Sequence, residues 1–410
     1  MNSKKIRIQS LLLSLVYLLT ILSQPLKLNI IGEFVFIFSS FYLLFYIIKY
    51  KIINKKILWI ILGFVIFCII GLLSNIAYNS IGRIHAVIND IIIFSKVPIS
   101  FCAFYLITNK MSFNNKIMTL KQCGSIAKYI TVIAFICLII NFIHPIGMSS
   151  DIRYGIHSFK FIFNTAAWLN QYWVGIVIVL FANVHFNKKY TIYLFLANFI
   201  WIFSLRSRAF AMVSFNILLY ILATKWKKIQ YIKGKILKKR NILAFSCLGL
   251  FLGLFLGYRQ IENYFFSEKI SARLLLLNTG FKIMKDNFPL GVGFGMYGTE
   301  AAKTYYSPIY YTYGLSSFWA LKEGGSELTD TFWPAIAAEF GFFGLVFYLI
   351  IIFMIFKLII KNTKNQPYLS ATVILYIIYL MISSTATGIF LSDLTVVYFI
   401  IICLVSNIKE

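Results

Sequence analysis

Apolar runs of about 15 to 25 residues recur along nearly the whole chain, and the pattern breaks at length only once, over roughly Tyr258 to Asp330. A helix needs about 20 mostly apolar residues to cross a hydrocarbon layer of about 30 Å, and only helices or closed barrels satisfy their backbone there. The runs predict helices near 9–23, 29–48, 57–73, 87–107, 126–143, 166–184, 190–204, 209–223, 242–257, 332–356, 369–386 and 389–406. The fold class that follows is an all-α, polytopic integral membrane protein of about twelve spans with one long loop. The runs 190–204 and 209–223 are the shortest, and they meet at Leu205-Arg206-Ser207-Arg208. The basic N-terminus and the apolar run after it lack a small-residue cleavage site. Ser23-Gln24-Pro25 leads into further apolar sequence, so this segment reads as a retained first span.

Composition agrees: 60% of the 410 residues are hydrophobic and 13% charged, against about half and about a quarter in soluble domains. The net charge of +26 raises the question of nucleic acid or an anionic surface. Its distribution answers it. With both termini cytoplasmic, the inner connectors carry Lys4, Lys5 and Arg7; Lys49, Lys51, Lys55 and Lys56; Lys110, Lys116 and Lys121; Lys188 and Lys189; the basic stretch from Lys225 to Arg240; and Lys361 and Lys364. This is the positive-inside bias, alternating correctly through the spans. A nucleic-acid reader would need the same charge on a folded reading surface, so no nucleic-acid partner is expected. The alternation places the 258–331 loop outside, together with the connector 144–165 that holds Asp151, Arg153, His157 and Lys160. None of the six cysteines falls in these two loops, so no disulfide framework is expected on the outer face.

Metal and nucleotide motifs are missing. There is no Asp-x-Asp, His-Glu-x-x-His, P-loop, Gly-x-Ser-x-Gly or Cys-x-x-Cys. His85, His144, His157 and His185 are scattered, and His144 and His157 with Asp151 make at best a weak metal set, so metal-free, cofactor-free chemistry is expected. Gly291, Gly293 and Gly295 cannot be a dinucleotide fingerprint, because no strand–helix unit frames them. They read either as a turn offering N–H groups to an anion or as a plain turn ending a helix. Upstream, Leu274, Leu277, Phe281 and Met284 recur at helical spacing and predict an interfacial helix, with Arg273 at its start either anchoring it or meeting a phosphate.

Arg206 and Arg208 sit on the side where positive charge is disfavoured. Helix-end snorkelling is one account; a phosphate-binding role, suited to the planar guanidinium, is the preferred one. Asp330 precedes Thr331-Phe332-Trp333-Pro334 and reads as a helix cap or a functional carboxylate. Glu339 lies deeper in the same span, where an ionisable group is functional by default. Glu33, Asp90 and Lys96 pose the same question, the last two reading as neighbours in a shared polar interior. The tyrosines at 305, 306, 310, 311 and 313, with Phe318 and Trp319, suit an interfacial aromatic belt or stacking on sugars.

Together these residues resemble the superfamily of O-antigen polymerases and O-antigen ligases. Phe203-Ser204-Leu205-Arg206-Ser207-Arg208-Ala209 is similar to that family's Ser-Arg-Gly/Ala element. Arg273 through Pro289-Leu290-Gly291-Val292-Gly293-Phe294-Gly295 is similar to its Arg-led helix ending in Pro-Leu-Gly-x-Gly-x-Gly. Asp330-Thr331, nine residues, then Gly341-Phe342-Phe343-Gly344 matches the spacing of the ligases' His-led element, with Asp in place of His. That departure favours the polymerase branch. The specific likeness covers about residues 200–350.

The resemblance implies a GT-C-like membrane glycosyltransferase with three parts. These are an N-terminal helix bundle (1–200), a polymerase/ligase region (201–360) containing the loop 258–331, and C-terminal helices (361–410). It implies repeat-unit polymerisation on undecaprenyl diphosphate, at the outer face of a bacterial cytoplasmic membrane. The lipid-linked oligosaccharide and membrane lipid are the expected partners, and a flippase and a chain-length regulator of the same pathway are admitted. Arg208 and Asp330 are the expected catalytic pair. Arg206, Arg273, Arg153, Arg83, Gly291, Gly293, Gly295 and Glu339 are expected to bind substrate, with no metal. The alternatives are a ligase that moves finished glycan to a terminal acceptor, and a lipid-linked oligosaccharide flippase. No internal repeat supports the flippase.

Overall fold

The computed structural model describes residues 2–28, 30–50, 54–225 and 271–408. The predicted span 242–257 and the first part of the long loop lie outside the described residues. The helices are α1 (Asn2–Leu22), α2 (Ile31–Tyr50), α3 (Lys55–Ala77), α4 (Ile84–Lys110), α5 (Phe113–Ile143), α6 (Ala166–Val184), α7 (Tyr190–Ile202) and α8 (Ser207–Thr224). After the undescribed stretch come α9 (Ala272–Asp286), the short α10 (Glu300–Thr304) and α11 (Ile309–Thr312), then α12 (Trp333–Thr363), α13 (Pro367–Ser384) and α14 (Asp393–Ser406). Eight of them are long and apolar enough to cross a membrane, and Ile8–Leu22, α7 and α14 are shorter apolar helices. The protein is an all-α, multi-pass membrane protein.

Polar side chains set several helix starts. Asn54 accepts from the Lys56 N–H at 3.0 Å, Thr165 from Trp168 at 3.3 Å and Ser271 from Leu274 at 3.2 Å, each satisfying a donor the first turn leaves open. Helices α6 and α14 form the centre, buried almost throughout. Outer helices turn apolar faces away from the bundle: Phe41 is 69% exposed, Ile48 75% and Ile143 80%. In water such surface would aggregate, whereas lipid tails solvate it. Between helices, packed aromatic rings such as Phe67 of α3 on Phe340 of α12 (4.4 Å between ring centres) are joined by hydrogen bonds, as in Ser39 with Ser100 (2.9 Å), Asn216 to Asn198 (2.8 Å) and Trp173 to the Ala197 carbonyl (2.9 Å).

Three local expectations change. Helix α5 starts at Phe113, capped by Ser112, so Lys116 and Lys121 lie in its first turns and not in a connector; the Lys116 ammonium is buried and donates to the Asn407 carbonyl at 2.9 Å. The connector 144–165 holds an antiparallel hairpin, β1 (Ser149–Arg153) with β2 (Ile156–Phe159). It is tied to the α7–α8 turn by the Phe159 N–H on the Phe203 carbonyl, 2.8 Å. Asp90 and Lys96 do not share an interior: six helical positions of about 100° each separate their faces. Lys96 pairs with Asp393 of α14 at 2.8 Å, and Asp90 faces the glycine cluster.

The most consequential feature for the site is a break in α12. Gly341 has φ +63°, and a Cβ there would lie 2.4 Å from the Leu290 carbonyl carbon, so the position admits glycine only. A break frees backbone groups that a membrane helix cannot leave bare. The glycine cluster supplies the partners: Val292 N–H donates to Ala338 O (3.0 Å), Gly293 N–H to Glu339 O (2.7 Å), and Phe342 N–H to Pro289 O (3.1 Å). Asn75 of α3 holds the other edge, accepting from the Phe294 N–H (2.9 Å) and donating to the Phe294 carbonyl (3.1 Å).

Candidate functional site

Four elements end together at one end of the bundle. Leu205 turns the chain in a left-handed conformation, φ +50°, so that α8 begins with Ser207 and carries Arg208 in its first turn. The Ser271 cap starts α9 and sets Arg273 in its first turn. There the Arg273 guanidinium meets Asp330 at 2.8 Å, both side chains being about a quarter exposed (20% and 29%). Arg208 stands close enough to Arg273 and Asp330 to feel both charges, and beside the Tyr379 hydroxyl of α13. That hydroxyl donates to the Gln171 carbonyl of α6 at 3.4 Å, leaving its lone pairs for Arg208. Glu327 completes the cluster. Burial pushes its carboxyl up and the neighbouring Asp330 adds to this, while Arg273 opposes.

A second basic group lies on the hairpin. Asp151 Oδ1 accepts from Arg206 at 2.7 Å and Oδ2 from Arg153 at 2.7 Å, with Ser158 also donating. Burial alone would raise the Asp151 carboxyl, but the bonds from Arg153 and Ser158 and the Arg206 charge hold it down at about 2. Arg206 is two residues from Arg208, so hairpin and cluster share the turn at Leu205. The pairing leaves one more arginine than carboxylate on the hairpin, and two arginines against Asp330 and Glu327 in the cluster. Together the four arginines outnumber the three carboxyls by one, a surplus of the kind that suits an anion.

Other expected site residues go elsewhere. The glycine cluster was expected as a possible anion cradle, but its N–H groups point at protein acceptors. Gly291 donates to Ser74 Oγ (3.4 Å), Gly293 to Glu339 O and Gly295 to Asp90 Oδ2 (2.8 Å). Glu339, expected to bind substrate, is fully buried, and its Oε1 accepts from the Met296 and Tyr297 N–H groups at 2.8 Å each. Its Oε2 and Asp90 Oδ1 are both buried, and the two carboxyls lie close enough to interact. Arg83 spends its donors on the Gly295 carbonyl (3.0 Å) and on the Tyr305 carbonyl. These residues lock the loop onto α3, α4 and α12, which is structural work. The tyrosines divide: Tyr310 is buried, its hydroxyl accepting from the Gly298 N–H at 2.9 Å, while Tyr311 and Trp319 are 60% and 69% exposed.

Tyr379, Glu327 and the Asp90–Glu339 contact escape sequence reasoning. Tyr379 sits in an apolar span among other tyrosines, and Glu327 among loop polars, with no spacing that singles either out. No known protein family's sequence profile matches the chain, and a search of curated proteins likewise finds no match.

Proposed function

We propose that this protein is a glycosyltransferase that polymerises oligosaccharide repeat units carried on undecaprenyl diphosphate, at the outer face of a bacterial cytoplasmic membrane. The convergence of Arg208, Arg273 and Asp330 from three separate elements at one end of the bundle carries this reading. Growing glycan on the lipid diphosphate is the donor, and a hydroxyl of a second lipid-linked unit attacks its anomeric carbon. The carbon–oxygen bond to the diphosphate breaks as the new one forms. Negative charge accumulates on the departing diphosphate, and Arg208 and Arg273, with Arg206 and Arg153 at the rim, supply fixed positive charge there. The diphosphate competes with Asp330 for Arg273. Once displaced, the carboxylate is released to accept the proton of the attacking hydroxyl.

Deleting the protein is expected to leave single repeat units on the surface acceptor. Complementation with Arg208→Ala is expected to reproduce that phenotype at normal membrane abundance. Loss of one such donor costs about 2–4 kcal/mol in the transition state, roughly 30- to 1,000-fold in rate. A wild-type glycan ladder from Arg208→Ala would sink the proposal. Undelivered polymer on the carrier lipid would mark a ligase, and units stranded on the inner leaflet a flippase.

A further inference from the structure

The end of α1 and the starts of α2, α6 and α14 enclose a cavity of about 210 Å³ at the same end of the bundle as the arginine cluster. Thr20, Ser23, Trp168, Tyr172, Ser392 and Asp393 line it. The polar groups are organised. Ser23 Oγ donates to the Thr20 carbonyl (2.8 Å) and shares a hydrogen bond with the Tyr172 hydroxyl (3.0 Å). Lys96 reaches Asp393 through Oδ1 at 2.8 Å, and Oδ2 accepts no hydrogen bond among the described residues. Gly32 makes room for this carboxylate, since a Cβ on it would lie 2.1 Å from the Asp393 Cβ. Trp168 and Tyr172 set two tilted rings 6.1 Å apart on the α6 wall.

The chemistry selects a ligand class. A fixed carboxylate oxygen asks for a hydroxyl donor, the Ser23 and Tyr172 oxygens keep lone pairs that accept from one, and the ring faces take C–H groups. The Lys96–Asp393 pair is neutral as a unit, so the cavity lacks the surplus positive charge that a phosphate headgroup needs. We propose that this cavity is a second, saccharide-binding site that takes an uncharged sugar residue of a glycan chain. The binding stands on the cavity alone. Its role rests on the glycosyl transfer proposed above: it holds a sugar away from the reacting one. The Gln171 carbonyl that accepts from Tyr379, beside Arg208, is one residue from Tyr172, so one turn of α6 joins the two sites.

The test uses the full-length protein in detergent, titrated calorimetrically with repeat-unit oligosaccharide released by mild acid from the host's surface polysaccharide. Saturable binding is expected, weakened about tenfold or more by Asp393→Asn and by Trp168→Ala. Trp168→Phe, which keeps a ring, should restore most of the affinity, and Arg208→Ala should bind as wild type. Wild-type affinity in Asp393→Asn and Trp168→Ala, or no uptake by the wild-type protein, overturns the proposal. So does displacement of the oligosaccharide by phosphatidylglycerol micelles. Normal polymer from Arg208→Ala with the binding pattern intact would refute the polymerase reading and leave this site standing.

Discussion

At the residue scale, Arg273 and Asp330 hold one another at a partly exposed contact, 2.8 Å apart. Such a pair adds little to stability, about 1 kcal/mol or less, so its value lies in what happens when a third charge arrives. Asp330→Asn is expected to reduce polymer formation strongly while leaving thermal stability within about 1 kcal/mol; a large loss of melting temperature would instead assign Asp330 to the fold. Asp151 makes a pH prediction. Its carboxyl, held at about 2 by Arg153, Ser158 and Arg206, lies below the value of about 3.9 for an unfolded aspartate. Its contribution is therefore fully present above about pH 4 and is lost as pH falls toward 2. A carboxyl carbon-13 titration of Asp151 should show this low midpoint, and Arg206→Gln should move it upward.

At the element scale, the α12 break and the glycine cluster are one construction. Carbonyls freed at Ala338 and Glu339 are met by Val292 and Gly293, and the freed N–H of Phe342 by Pro289. Gly341→Ala puts a side chain at φ +63° and against the Pro289–Leu290 backbone. It is expected to cost about 2–3 kcal/mol or more, read as a lower melting temperature of the detergent-solubilised protein. Asn75→Ala strips partners from the Phe294 N–H and carbonyl and is expected to cost about 1–3 kcal/mol. Both should disturb the loop holding Arg273 and Asp330 indirectly, so activity and stability should fall together. Activity lost at unchanged stability would argue for direct contact with substrate.

At the scale of the whole molecule, sidedness is the property with the widest consequence. Lys303 belongs to the long loop and Lys188 to the connector between α6 and α7, and the lysine bias predicts the Lys188 end to be cytoplasmic. In a variant freed of its six cysteines, Lys303→Cys in intact cells is expected to react with a membrane-impermeant maleimide, and Lys188→Cys only after lysis. The reverse pattern would place the arginine cluster on the cytoplasmic side and remove the basis for extracellular chain growth.

Most helix positions among the described residues were legible in the sequence, because lipid imposes a length and a polarity on every crossing helix, independent of its neighbours. Residues 166–184 match α6 to the residue for that reason. Arg208, Arg273 and Asp330 were also legible, since charge at a membrane surface stands out against an apolar background. Their grouping was not. Whether a glycine run cradles an anion or plugs a broken helix depends on where its N–H groups point, and only the packing of α3, α4 and α12 sets that. Glu339 reads from sequence as a site carboxylate; burial against Met296, Tyr297 and Asp90 makes it a clasp. The chain alone determined that this is a membrane protein whose charge gathers at helix ends. Tertiary structure decided which of those charges face one another, because such contacts join residues far apart in sequence and no local pattern encodes them.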